Sequence, residues 1–189
     1  MGLTMELEWA VHIRSYPGAP RGGDVGVVLP DEDGALAALI DASGHGLTAY
    51  AVAQAARKTL LAIPDREPDT VLSKLDAALA GSIGAAISVA RIRANELSFA
   101  GVGNVSASVG LRPLITRPGV VGRRMRAPDI LRVAFPPNTW LLMHTDGVSR
   151  PQAIPAGGAD SAARALVEAH GSRHDDAGVL LLRWREAGL

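Results

Sequence analysis

Cysteine does not occur in the 189-residue sequence. Disulfides, zinc–thiolate sites and cysteine nucleophiles are thereby excluded. An excess of either charge is also missing, with 19 basic against 19 acidic residues, so nothing pulls the chain as a whole toward nucleic acid or an anionic membrane. Aromatic residues amount to only 4%, which argues further against nucleic acid as a partner. No apolar run approaches the roughly 20 residues of a membrane-spanning helix. The acidic, amphipathic start "MGLTMELEWAVH" lacks the pattern of a signal peptide. What is present, 48% hydrophobic and 20% charged residues, suits one globular domain over 1–189, expected in the cytoplasm.

Hydrophobic periodicity supplies the elements. Alternation of Met5, Leu7, Trp9, Val11 and Ile13 with Glu6, Glu8, Ala10, His12 and Arg14 predicts a strand that buries the first set. "YPGAPRGG" (16–23) is a loop by its Pro and Gly content. Two strands then join at a turn over Asp31–Gly34. A helix is expected from Gly46 to about Ile63, stopped by Pro64. A second helix takes Asp69 or Thr70 as its N-cap and buries Val71, Leu75, Ala78 and Leu79. A hairpin turns near Ala94–Asn95 with Leu97 and Phe99 inward, and 111–138 holds loops with one or two short strands. "NTWLLMHTDG" reads as a buried strand, 161–171 as a helix, and "DDAGVLLLRWRE" as a closing strand. Hairpins with segregated helices make this an α+β layered fold.

One stretch poses a chemical question. In "ALIDASGHGLTAYAVAQAA" (38–56) an apolar strand ends on Asp41, where an unpaired charge is costly. Asp24 begins a strand, Asp146 ends another, and Asp175 and Asp176 precede the last. Each adjoins glycine or other small residues, which let backbone and ligand come close. Taken singly these are turn aspartates, common beside glycine. Taken together they are carboxylates from distant segments meeting where strand ends meet, and divalent cations relieve their repulsion most directly. An all-oxygen donor set favours Mg²⁺ or Mn²⁺ over zinc.

"RGGD", "DASGHG", "VGNVSAS", "HTDG" and "HDDAGVLLLR", in this order and spacing, resemble the motifs of the metal-dependent PP2C-type (PPM) protein serine/threonine phosphatases. The likeness runs from about Gly22 to Arg183 and is greatest to the bacterial sporulation and stress-response branch, in particular the short stressosome feedback phosphatases (RsbX-like). It implies a four-layer α-β-β-α sandwich, two antiparallel sheets flanked by helices, with two metal ions in a cleft at one end. By the same resemblance Asp41 bridges both ions and the Ala42 carbonyl binds the first. Asp24 acts on the first ion directly or through water, and Asp146 and Asp175 hold the second. Two such ions roughly 4 Å apart supply a bridging hydroxide for in-line attack on phosphorus, with no protein nucleophile. The implied partner is a phosphorylated STAS-domain component of a stressosome. Asn104 stands where many relatives carry a metal-binding Asp, so a third ion is expected to be absent or loose.

Other residues carry two readings each. His45 suits a general acid for the leaving oxygen, or it packs the start of the helix. Arg21 and Arg14 are candidates to grip the substrate phosphate, although Arg21 fits a solvated loop equally. His174 lies beside Asp175, His12 and His170 sit on strand and helix faces, and Asp176 orients Asp175 or caps a turn. The basic "RPGVVGRRMRAP" (117–128) is either a solvated loop or a surface that docks a phosphoprotein. Two rivals to a protein phosphatase keep the fold: a binding module without turnover, and a phosphatase of small phosphate esters.

Overall fold

A computed structural model of the chain describes residues 5–186 apart from 17 and 20. The start of the N-terminal segment and two prolines of the 16–23 loop lie outside the described residues. The elements run in the order β1 (Met5–Arg14), β2 (Asp24–Asp31), β3 (Gly34–Ala42), α1 (Gly46–Ala62), α2 (Pro68–Ala78), β4 (Ala85–Arg93), β5 (Glu96–Val102), β6 (Ser106–Val109), β7 (Arg112–Leu114), β8 (Leu131–Ala134), β9 (Leu141–His144), α3 (Ala159–His170) and β10 (Ala177–Glu186). Among the described residues the strands form two antiparallel sheets, ordered β1-β10-β9-β6-β7 and β2-β3-β4-β5-β8.

Both sheets are covered on both faces, which the sequence records as near-continuous apolar runs. In β10, Leu180 and Leu182 pack between the sheets against Leu141 and Met143, while Val179 and Leu181 face α3. In β3, Ala35, Ala37 and Leu39 point into the inter-sheet core, whereas Leu36, Ala38 and Ile40 meet α1 and α2. The buried stripe of α1 is largely alanine, Ala49, Ala53 and Ala56, so the helix lies close on its sheet. Helices α1 and α2 thus cover one sheet and α3 the other, giving the expected α-β-β-α layers.

Three local expectations need correction. Trp9 is 43% exposed and Ala10 is buried, so the expected alternation in β1 fails at these two positions. That strand is a sheet edge: Leu7 and Val11 reach the inter-sheet core, and Ala10 lies under α3. The N-cap of α2 is Glu67, with Pro68 opening the helix; proline at the first helical position supplies its fixed φ and has no N–H to satisfy. Ala78 is exposed, and Leu72 takes its place in the buried stripe. The segment 111–138 holds two short strands, β7 and β8, and its loops are described below.

Candidate functional site

Strand register builds the first half of the site. β2 and β3 pair so that Asp24 stands opposite Asp41. Asp41 shares its face of β3 with Leu39, so at the strand end it points between the sheets. The loop after β9 brings Asp146 and the loop before β10 brings Asp175 to the same end, where a cleft of about 780 Å³ is lined by Asp41, Asp146, Asp175, Asn104, His45, His174 and Tyr16, among others.

The electrostatics are those of crowded acids. Burial and, after it, the Asp41 charge push the Asp24 carboxyl up to about 8, against the opposing effect of a Thr145 hydrogen bond. That bond runs from Thr145 Oγ1 to Asp24 Oδ2 at 2.8 Å, and Gly178 N–H donates to the same hydroxyl at 2.9 Å. Asp41 is raised to about 7 by burial, by the charges of Asp146, Asp175 and Asp176, and by a side-chain hydrogen bond with Asp146. Burial also raises Asp175, with Asp146 and Asp176 adding to it. Asn104 Nδ2 donates to Asp146 Oδ2 at 2.6 Å, so the amide fixes a carboxylate of the cluster.

Small residues allow the convergence. A Cβ on Gly22 would lie 2.6 Å from Asp176 Oδ2, and one on Gly23 3.1 Å from the Ala42 carbonyl oxygen. Gly44 and Gly46 flank His45 with φ of +81° and +77°, values that side-chain-bearing residues rarely adopt. His45 occupies the N-cap position of α1, yet its side chain makes no capping bond. It is exposed on the cleft wall and close enough to bear on Asp175.

The other named residues divide clearly. Asp24 lies behind the cleft wall, 7% exposed, and Ala42 is fully buried. Among the described residues no arginine or lysine lines the cleft. The Arg21 guanidinium lies 4.6 Å from the centroid of the Tyr50 ring on α1. Arg14 is occupied by backbone carbonyls, those of Ser172 at 2.6 Å and Val167 at 3.4 Å.

Asp176 does more than orient its neighbour or cap a turn. Its buried carboxylate accepts N–H bonds from Tyr16 at 2.7 Å and Gly23 at 2.5 Å, tying the loop that carries Asp24 to the start of β10. Its own N–H donates to Asp175 Oδ1 at 2.9 Å. Thr145 is a positioning residue with no signal in the sequence, whereas Asp176 is named there but its bonds to Tyr16 and Gly23 are not foreseen. Gly147 reports the same packing: a Cβ there would lie 1.7 Å from the Asp176 carbonyl oxygen. Gly147→Ala is therefore expected to lower the melting temperature by roughly 5–10 °C, as overpacking against fixed backbone does, measured by thermal denaturation.

The donor chemistry fits hard divalent cations: oxygen atoms only, mutually repelling, at the mouth of a cleft. Among the described residues no three Asp, Glu or His side chains are disposed to hold one ion as they stand. A dication there would relieve the repulsion that raises Asp24 and Asp41.

No family model matches the sequence, and no curated protein matches it. Solved structures do match. A chain from work on the bacterial stressosome, "a modular system that has been adapted to control secondary messenger signaling", aligns with a TM-score of 0.87 at 23% identity, covering 94% of this chain and 100% of its own. RsbX in complex with magnesium aligns at 0.84 and 17% identity, covering 97% and 100%. The catalytic domain of the serine/threonine protein phosphatase PstP in complex with 2 manganese ions aligns at 0.74 and 16% identity, also covering 97% and 100%. The fold is therefore that of the PP2C-type phosphatases. Within it, this chain is similar to RsbX and to the stressosome-associated chain over nearly the full length of each.

Proposed function

We propose that residues 1–189 act as one PPM-type phosphatase domain in the cytoplasm. It would remove phosphate from serine or threonine of a protein in a bacterial stress-signalling complex, with a STAS-type stressosome scaffold as the substrate. The observation that carries this reading is the convergence of Asp24, Asp41, Asp146 and Asp175 at one end of the sandwich, with Asp24 and Asp41 held far above the usual carboxylate range. The likeness to structures holding magnesium and manganese supports it.

In this reading Asp41 would serve both of two ions, Mn²⁺ or Mg²⁺, the Ala42 carbonyl and Asp24 would hold the first, and Asp146 and Asp175 the second. When bound, the ions acidify the attacking water and neutralise charge that develops on the phosphoryl oxygens. Asn104 holds the Asp146 carboxylate in place through its amide, which leaves that amide engaged and no third ion is invoked. Thr145 anchors Asp24, and Asp176 anchors the backbone at Gly23 just before it. His45, free of any capping bond and exposed to the cleft, would serve as the general acid for the leaving serine oxygen. Arg21 has no part in the proposal, because its guanidinium packs on Tyr50 outside the cleft lining.

The test is hydrolysis of p-nitrophenyl phosphate and of a serine-phosphorylated STAS-domain protein by the purified chain. Turnover is expected with Mn²⁺ or Mg²⁺ and none in chelator. Hydrolysis that persists in chelator would overturn the metal assignment. Calorimetric Mn²⁺ binding without turnover would favour a binding module instead.

A further inference from the structure

The basic stretch 117–128 is strongly charged, and the chemistry proposed above does not use it. Its backbone is fixed against the sandwich. Ala85 N–H donates to the Val121 carbonyl at 3.1 Å and Val121 N–H returns a bond to Ala85 at 2.9 Å. Gly103 and Arg117, and Arg117 and Gly101, are joined by N–H···O bonds of 2.8 Å. Gly122 N–H donates to Asp76 Oδ1 on α2 at 2.6 Å. Val121 is fully buried and Met125 packs on the core beneath α1 and α2. The segment is thus a pinned shelf, and Gly119 and Val120 form part of the cleft wall.

From this shelf Arg123, Arg124 and Arg126 project into solvent. Arg123 Cγ lies 3.3 Å from where a Gly84 Cβ would sit, and the Gly84 carbonyl accepts the N–H of Ser43, a cleft residue, at 3.0 Å. The Arg124 carbonyl oxygen lies 2.7 Å from where a Cβ on Gly119 would sit. Arg123 and Arg124 therefore start at the lip of the cleft, and exposed Arg126 follows two residues further along the same shelf. On the same segment Arg117 is neutralised by Asp129. Arg123, Arg124 and Arg126 make no ion pair among the described residues. The molecule has equal numbers of positive and negative side chains, yet this shelf carries three guanidinium groups without an ion pair among the described residues, next to an acid-lined cleft in whose described lining there is no arginine or lysine.

We propose that Arg123, Arg124 and Arg126 are a docking lip for an acidic segment flanking the phosphorylated residue of the substrate protein. The proposal rests on the phosphatase reading for the orientation of that segment, with the phosphate in the cleft and the flank crossing the lip. Guanidinium groups on a rigid support pair with carboxylates in forked geometry and lose little entropy in doing so. A small ester has no flank and gains nothing from them. Exposed ion pairs are screened by salt, so the preference should weaken as ionic strength rises.

The experiment compares the parent chain with Arg123→Ala/Arg124→Ala/Arg126→Ala on phosphoserine peptides that differ only in acidic or neutral flanks, and on p-nitrophenyl phosphate. The expected result is a KM about tenfold higher for the acidic-flank peptide in the variant, as loss of several exposed pairs implies. Its kcat, the neutral peptide and the small ester should be unaffected. A second arm reads binding of the labelled acidic-flank peptide by fluorescence anisotropy in chelator, where about tenfold weaker binding by the variant is expected. That arm is independent of turnover: a chain that docks the peptide but never hydrolyses it would refute the phosphatase reading and leave the lip standing. Equal affinity of the parent for acidic and neutral flanks overturns the lip, as does a variant indistinguishable from the parent. An equal loss on the small ester also overturns it.

Discussion

Asp41→Asn is expected to cut metal-dependent hydrolysis by about 10³-fold or more and, at the same time, to make the metal-free protein more stable. The two effects have one cause. Asp41 sits opposite Asp24 across the β2–β3 ladder, in hydrogen-bond contact with Asp146 and within the fields of Asp175 and Asp176. Like charges facing each other across strands destabilise a sheet, and burial adds to the cost of the charged form. Its carboxyl, ordinarily at 3.8, is raised to about 7. At pH values above that, the folded protein carries a charge it would shed at a gain on the order of 2 kcal/mol. An amide keeps the shape and removes the charge, so the melting temperature in chelator near pH 8 should rise by roughly 4–8 °C. As pH falls from about 7 the fold keeps the Asp41 proton that the unfolded chain still releases, so the difference should shrink steadily and close only at about pH 4. Differential scanning fluorimetry in chelator at both pH values, beside an activity assay with Mn²⁺, checks the pair of outcomes. Full activity, or a variant less stable than its parent at high pH, would sink the account of why this acid is there.

The second large effect is on pH dependence. Asp24 and Asp41 are raised from 3.8 to about 8 and about 7, so in this interval the folded state holds protons that the unfolded chain has released. Stability of the metal-free protein therefore falls as pH rises from about 4 to 8, at up to about 1.4 kcal/mol per unit for each group still protonated. Carboxylates in ion pairs give the opposite slope. Divalent cations compete with those protons, so metal affinity should increase with pH. The melting-temperature increment on adding Mn²⁺ should then grow from near nothing at about pH 5 to several degrees at about pH 8, since a ligand at 100 times its Kd stabilises by about 2.7 kcal/mol. A metal-free stability that rises through this range would contradict the crowded-acid description.

How much of this could be read from the residues varies with the reach of the interaction. Asp41 stands out because an apolar strand running into a carboxylate and a small-residue turn is a local pattern. The layers follow from runs such as "GVLLLRW", whose two buried faces are written in the residues themselves. The β1 alternation misleads because an edge strand beneath α3 buries Ala10, a matter of neighbours far along the chain. The start of α2 is written in Pro68, but Asp69 and Thr70 are the commoner cap types and draw the expected boundary past it. Asp176 could not be understood locally: its partners Tyr16 and Gly23 lie more than 150 residues away. Gly22 and Gly147 were the available hints, since each leaves room for Asp176. The lip arginines were legible as a charge run, whereas their lack of partners and their place at the cleft needed the fold.

The position of β10 has a consequence for how the protein comes into being. It lies between β1 and β9, and among the described residues β1 pairs with no other strand. As a ribosome delivers the chain, β1 must therefore wait, unpaired, until residues 177–186 emerge. Asp175 and Asp176 arrive only just ahead of that strand, so the pocket is completed by the same late event that closes the sheet, and a nascent chain stalled before it has neither.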